Sequence, residues 1–233
     1  MTIQLILGVI WLFATLGIVY LACLFARKMQ SDSVLIGTYT GLVIISAVAA
    51  SKIIHLFGFD VPGGVLVYSA SFLITDILSE CYGKKRAKLA VLVGFFAMAI
   101  FFVYSYITVL WPHPPYWGNQ EAFSTIIGLS ARVSVAGLIS FIISQTVDIN
   151  VFHMLKKRDS EKRLWLRNIT STATSQFIDS VIFITIAFAG VFPIFKLILA
   201  QYIVKLVVVV CDTPFVYLGR KILGFAPDET NKQ

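Results

Sequence analysis

Long apolar runs broken by short polar stretches organise this chain from end to end. Seven runs stand out, at roughly residues 3–26, 34–57, 63–80, 88–111, 123–153, 170–191 and 194–219. Runs of this length predict helices, because a bilayer offers backbone N–H and C=O groups no partners. Ile3 to Ala26 is uncharged, lacks a basic leader and exceeds the apolar core of a cleavable signal, so it is expected to be a retained span. The third run is short and needs Asp76 to Glu80 to complete a crossing. The sixth and seventh are split at Gly190-Val191-Phe192-Pro193, where Gly ends one helix and Pro prevents its continuation. The expected architecture is all-α: a polytopic membrane bundle of about seven transmembrane helices, one transmembrane domain over residues 1–233.

Composition agrees, with 58% hydrophobic and 13% charged residues, against roughly half and a quarter in soluble domains. The formal net charge of +7 alone would suggest nucleic acid, but its distribution says otherwise. Fifteen of the 19 Lys and Arg residues follow the first, third, fifth and seventh runs. The loops at 58–62 and 112–122 contain none. By the positive-inside rule this alternation places the N-terminus outside and the C-terminus in the cytoplasm. The partner of the basic charge is then membrane lipid, not nucleic acid. Cys23, Cys81 and Cys211 share no metal-ligand spacing and read as small buried hydrophobes. His113, in the aromatic and Pro-rich loop Trp111 to Trp117, has no ligand partner nearby in sequence. No metal and no cofactor are expected.

One short motif occurs twice. Ser144-Gln145-x-x-Asp148-x-x-x-Phe152 matches Ser175-Gln176-x-x-Asp179-x-x-x-Phe183 as S-Q-x-x-D-x-x-x-F. The copies fall on consecutive, hence antiparallel, helices, the arrangement of an inverted repeat; chance similarity is the other reading. Lys52, Arg132 and Lys196 sit near outer helix ends, where they can reach water; His55 lies close after Lys52. Lys205 is central, where a charge costs several kcal/mol unless it meets a partner or a wet cavity. Gln201, Lys205 and Asp212 share a face. Gln145 with Asp148, and Gln176 with Asp179, share faces of their own helices. Asn168 opens the sixth run, and Thr75, Asp76 and Glu80 close the third. These polar stripes predict either a polar cavity within the bundle or an interhelical hydrogen-bond network. A cavity of carboxylates, amides and Lys with aromatic walls would admit a planar heterocycle with adjacent donor and acceptor edges, without selecting one.

Thr75-Asp76-Ile77-Leu78-Ser79-Glu80-Cys81-Tyr82-Gly83-Lys84-Lys85-Arg86-Ala87 resembles the T-D-I-x-S-E-x-Y-G-K-x-x-A segment of the queuosine precursor transporter family, formerly a vitamin-uptake family. Ser171-Thr172 with Ser175-Gln176-Phe177-Ile178-Asp179-Ser180 resembles that family's S-T-x-x-S-Q-x-x-D-S segment, and Gln201-Tyr202, Lys205, Thr213-Pro214 and Tyr217 fit its last helix. The resemblance covers about residues 34–222, leaving 1–33 as an additional first helix and loop. It implies import of 7-deazaguanine precursors of queuosine, such as 7-cyano-7-deazaguanine and 7-aminomethyl-7-deazaguanine, across a bacterial inner membrane, in the service of tRNA modification. It also implies a six-helix core resembling the substrate-binding components of energy-coupling-factor transporters. The alternative is therefore a substrate-binding membrane subunit for a vitamin-like solute, working with a separate ATPase module.

Enzymatic activity is not expected. Asp148 and Asp179 lack the Gly-flanked context of intramembrane aspartyl proteases, and no H-E-x-x-H, G-x-S-x-G or P-loop is present. No catalytic residue is assigned. The candidate substrate-binding set is Asp76, Glu80, Gln145, Asp148, Asn168, Gln176, Asp179, Gln201 and Lys205, expected to line one cavity. Asp179, then Glu80, is the expected acceptor for the donor edge of the base. Gly37 and Gly41 form a G-x-x-x-G that permits close helix contact and a homodimer.

Overall fold

A computed structural model describes residues 2–50, 52–56, 58–127, 131–159, 163–190 and 194–224. Eight helices are described: α1 (Thr2–Met29), α2 (Ser33–Ala49), α3 (Val65–Cys81), α4 (Lys84–Leu110), α5 (Gln120–Ile127), α6 (Ala131–Asp159), α7 (Leu164–Phe188) and α8 (Ile194–Leu223). Five of them, α1, α4, α6, α7 and α8, are long and apolar enough to cross a membrane. Helices α2 and α3 have 17 residues each, about 25 Å at 1.5 Å per residue, the lower limit for a span. The protein is an all-α, polytopic membrane bundle with one small β-hairpin. Its outward faces are those of a lipid-facing surface: Phe13, Phe25, Phe96, Ile100 and Val103 are exposed along α1 and α4, a density that water would not tolerate.

Two expected runs are corrected. Run 34–57 is not one helix. Helix α2 ends at Ala49, and β1 (Ile53–Leu56) pairs antiparallel with β2 (Phe59–Pro62). Ile53 and Ile54 are β-branched and favour a strand, and Gly58 supplies the turn with φ +85°. His55 is therefore not a helical neighbour of Lys52; its Nδ1 lies 2.8 Å from Asp60 Oδ1 across the hairpin. Run 123–153 contains both α5, an eight-residue amphipathic helix with no buried residue, and the start of α6. The Gly190–Pro193 break falls mainly on residues 191–193, and Arg132's side chain, Lys162 and Lys232 likewise lie outside the described residues.

The shortest of the seven runs is the most buried. Every residue of α3 is buried except Tyr68, which is half-buried. Its Thr75, Asp76, Ser79 and Glu80 face protein rather than lipid, which is why a run too polar to face lipid sits in the middle of the bundle. Close approaches let neighbours enclose it. A Cβ on Gly64 would lie 2.1 Å from the Ser46 carbonyl oxygen, and one on Gly219 would lie 2.9 Å from Ile77. Around α3, helices α6 and α7 form the most extensive pair. Pro214 within α8 leaves the preceding turn one hydrogen bond short beside Asp212 and Thr213. A Cβ added at Gly37 or Gly41 would meet nothing within 4 Å, so among the described residues the G-x-x-x-G does not serve a close helix approach. Cys23 and Cys81 are buried as expected, whereas Cys211 is exposed.

Candidate functional site

Three polar layers are stacked along α3, at Tyr68, Asp76 and Glu80, the first two about two turns apart and the last two about one turn apart, with partners drawn from α6, α7 and α8. The layer at the hairpin end is centred on Asp179 of α7. Tyr68 of α3 donates to its Oδ1 at 3.0 Å, Ser144 of α6 lies 3.2 Å from the same oxygen, and Lys205 of α8 donates to Oδ2 at 2.5 Å. The Lys205 ammonium also stands 5.4 Å from the centre of the Tyr68 ring, a cation–π distance. Lys205 is 1% exposed, so the central cation has the partner its depth demands.

This layer forms the floor of a cavity of about 170 Å³. Asp179, Lys205, Gln201 and Tyr68 supply its polar groups, and Phe102, Phe141, Phe183 and Phe188 give aromatic walls. Ala50 at the end of α2, Ile53 and Pro62 of the hairpin, and Gly64 line it as well. The amide oxygen of Gln201 is buried without a hydrogen-bond partner among the described residues.

The middle layer holds Asp76 of α3 and Asp148 of α6. Thr172 donates to Asp76 Oδ2 at 3.2 Å, and Ser175 donates to Asp148 Oδ1 at 3.1 Å. The two carboxyls face one another within hydrogen-bonding reach. Gln145 bridges to α3 beside them, donating to Ser71 at 3.0 Å and accepting from Thr75 at 3.4 Å. Gln176 is fully buried, and neither end of its amide has a partner among the described residues.

The third layer lies at the end that carries the basic loops. Glu80 Oε2 accepts from Arg167 at 2.9 Å and stands 3.4 Å from Lys156, while Oε1 stands 3.2 Å from Arg220. One carboxylate thus ties α3 to α6, α7 and α8. Asn168, adjacent to Arg167, donates to Thr213 of α8 at 3.1 Å. A bidentate pair of Arg86 with Asp32 fastens the start of α4 to the start of α2 at the same end.

Of the nine candidate residues, the structure brings Asp179, Gln201 and Lys205 to one cavity. It distributes Asp76, Gln145, Asp148 and Gln176 in the buried bundle below, and Asn168 and Glu80 at the far end. The cavity and the hydrogen-bond network, posed as alternatives from sequence, are both present. Tyr68, Arg167, Lys156 and Arg220 were missed as site-forming residues. Tyr68 lies in an apolar run and carries no distinguishing signal in sequence, and the cations stand there as topology signals. The spacing of Asp76 and Glu80, one turn apart with only the upper one free of basic neighbours in sequence, was the available clue.

The doubled motif has a structural meaning. Ser144 of the first copy reaches Asp179 of the second, and Ser175 of the second reaches Asp148 of the first. Each serine serves the other copy's aspartate, as antiparallel helices related by a two-fold would arrange.

A membrane-embedded bundle with a polar-floored cavity at one end and an ion-pair lock at the other defines a transporter rather than an enzyme. Residues 62–219 match the family described as "Putative vitamin uptake transporter", and the chain belongs to that family. It is 34% identical over 177 residues, 74% of this chain and 77% of the relative, to the "Probable queuosine precursor transporter" of Bacillus subtilis (strain 168). It is 27% identical over 141 residues, 58% of each chain, to the "Queuosine precursor transporter" of Escherichia coli (strain K12). No solved structure matches.

Proposed function

We propose that this chain carries 7-deazaguanine precursors of queuosine into the cytoplasm of a bacterial cell. It would sit in the inner membrane with its N-terminus outside and its C-terminus inside. The observation that carries the reading is the cavity floored by Asp179 and Lys205, in a chain whose two relatives are named for queuosine precursors. In the proposed orientation the cavity opens outward, and Glu80 with its three cations closes the cytoplasmic end.

The chemistry fits a guanine-type base. Its ring N–H and exocyclic amine are adjacent donors beside a carbonyl oxygen. Asp179 Oδ1 is already served by two hydroxyls, so the ligand's donors would replace Lys205 at Oδ2, releasing the ammonium to the carbonyl oxygen. Gln201, with an unpartnered amide oxygen at the cavity wall, supplies a second acceptor for the amine, and the phenylalanines flank the flat ring. A site of this kind discriminates strongly against analogues that lack a donor, because its own polar groups are then left unpaired.

The test is affinity of purified protein for 7-cyano-7-deazaguanine, 7-aminomethyl-7-deazaguanine and a hypoxanthine-type analogue without the exocyclic amine. Asp179→Asn should weaken the guanine-type ligands by about 1.5–3 kcal/mol, the scale of charge-assisted hydrogen bonds. Equal affinity for the analogue, or unchanged affinity in Asp179→Asn, removes the donor-edge model. Uptake into liposomes holding only this chain separates autonomous transport from the alternative, a binding subunit that needs an ATPase.

A further inference from the structure

We infer that the facing carboxyls of Asp76 and Asp148 share one proton and form the coupling site of transport. The coupling rests on the transport reading; the proton site stands on the chain's own geometry.

Both side chains are buried, at 1% and 0% exposure. Each has one oxygen served by a hydroxyl, Thr172 on Asp76 Oδ2 and Ser175 on Asp148 Oδ1. The remaining oxygens, Asp76 Oδ1 and Asp148 Oδ2, have no hydrogen-bond partner among the described residues, although the Thr172 and Ser171 hydroxyls also stand close to Asp148. Two ionised carboxylates so placed would repel in a low-dielectric interior with nothing between them. A proton between them supplies the missing donor to one oxygen and the missing acceptor to the other in a single step. No cation forms an ion pair with either residue among the described residues: Lys205 is held by Asp179, and Arg167 and Lys156 by Glu80. The other titratable groups that bear on the pair are Asp212 of α8 and the Tyr39 phenol of α2. Both are neutral or negative, so neither substitutes for the proton.

The location gives the proton a use. The pair sits between the cavity floor and the Glu80 lock, on the helices that form both. It is joined to the cavity by the exchanged serines, since Ser144 serves Asp179 one turn from Asp148, and Ser175 serves Asp148 one turn from Asp179. Neutralising the pair lets α3 pack against α6; losing the proton inside forces them apart. A proton taken up from the outer side and released to the cytoplasm is thereby tied to opening of the inner end.

Asn is close in shape to a protonated carboxyl and offers an N–H in its place, so Asp148→Asn is expected to fold and to mimic the loaded state. Infrared difference spectra of the protein in liposomes, recorded across a pH series in water and deuterated water, read the proton directly. A protonated-carboxyl band that titrates in the unsubstituted protein and in Asp212→Asn, and is absent from the Asp76→Asn/Asp148→Asn double variant, is the expected result. Absence of that band from the unsubstituted protein overturns the proposal. So does saturable sodium binding that the double variant loses, which would make the pair a metal-ion site. In the same liposomes, Asp148→Asn should lose at least tenfold of the accumulation of labelled 7-deazaguanine driven by an inward proton gradient, measured relative to its own exchange without a gradient. Gradient-driven accumulation that survives in Asp148→Asn overturns the coupling. Failure of the unsubstituted protein to exchange any 7-deazaguanine would strike the transport reading instead, leaving the infrared result to decide the proton site.

Discussion

Glu80 illustrates how much of the bundle hangs on a single carboxylate. Its partners differ in their freedom. The side chains of Lys156 and Arg220 are 18% and 28% exposed, whereas those of Arg167 and Glu80 itself are 1% exposed. In Glu80→Gln the first two cations can turn toward water, but Arg167 cannot. Its Nε and Nη1 already lack hydrogen-bond partners among the described residues, and the substitution removes the charge that Nη2 faces. Stranding a buried charge costs about 3–5 kcal/mol. Arg167→Met is a different perturbation, since Glu80 keeps Lys156 and Arg220, and its cost should be about 1–3 kcal/mol, that of a lost charged hydrogen bond. The double variant removes both the stranded guanidinium and its partner, and should be more stable than Glu80→Gln alone. Unfolding can be followed with a thiol-reactive fluorophore, because Cys23 and Cys81 are buried and Cys211, which is exposed, can be replaced beforehand. At roughly 2–4 °C per kcal/mol for a chain of this size, the three variants should separate clearly in Tm. An unchanged Tm for Glu80→Gln, or a double variant no more stable than it, would refute the stranded-charge argument.

Gly64→Ala should lower Tm, by about 1–3 kcal/mol of overpacking, because the new methyl collides with the Ser46 carbonyl. Gly37→Ala, which meets open space, should leave Tm unchanged or raise it slightly; a fall would show a contact made by a second copy. Cysteines placed at Tyr116, 89% exposed, and at Lys84 should be labelled by an impermeant reagent from opposite sides of the membrane, Tyr116 from outside. Tyr68→Phe removes one of two hydroxyls on Asp179 Oδ1 and should weaken binding of 7-cyano-7-deazaguanine by about 0.5–1.5 kcal/mol, read by titration; no change would leave Tyr68 outside the site.

What the sequence made legible was whatever obeys a one-dimensional rule. Lipid forces apolar runs into helices, so the order of α1, α4, α6, α7 and α8 could be read directly, and a central Lys205 required a partner. The hairpin was invisible because Ile53 to Val61 is as apolar as the helix before it, and periodicity over four residues cannot separate the two. Helix α5 was hidden similarly, its apolar face merging into the run that becomes α6. The division of the candidate residues into three layers needed depth along the bundle, which depends on helix stagger and not on spacing within one helix. Asp76 and Glu80 lie one turn apart on α3, yet one faces another carboxyl and the other faces three cations. Only the neighbours' registers decide that, and those registers are set by close approaches such as Gly219 on Ile77.

The repeated S-Q-x-x-D pattern marks the boundary between the two kinds of knowledge. As nine positions of sequence, it could not be told from chance. In the structure it gains a criterion that chance does not readily meet, for the same atom types exchange in both directions: Ser144 to Asp179 at 3.2 Å and Ser175 to Asp148 at 3.1 Å. The reciprocity follows from antiparallel helices in register, since a shift of either helix by one residue would swing both serines away from their aspartates. The two copies nevertheless meet different third partners. Asp179 receives Lys205 from α8, and Asp148 meets Asp76 from α3. One shared geometry is thus given a cation on the cavity side and a carboxyl on the other. The copies differ in charge where they agree in shape, so the proposed ligand site at one level and the proposed proton site at the next need no change in how α6 and α7 pack together.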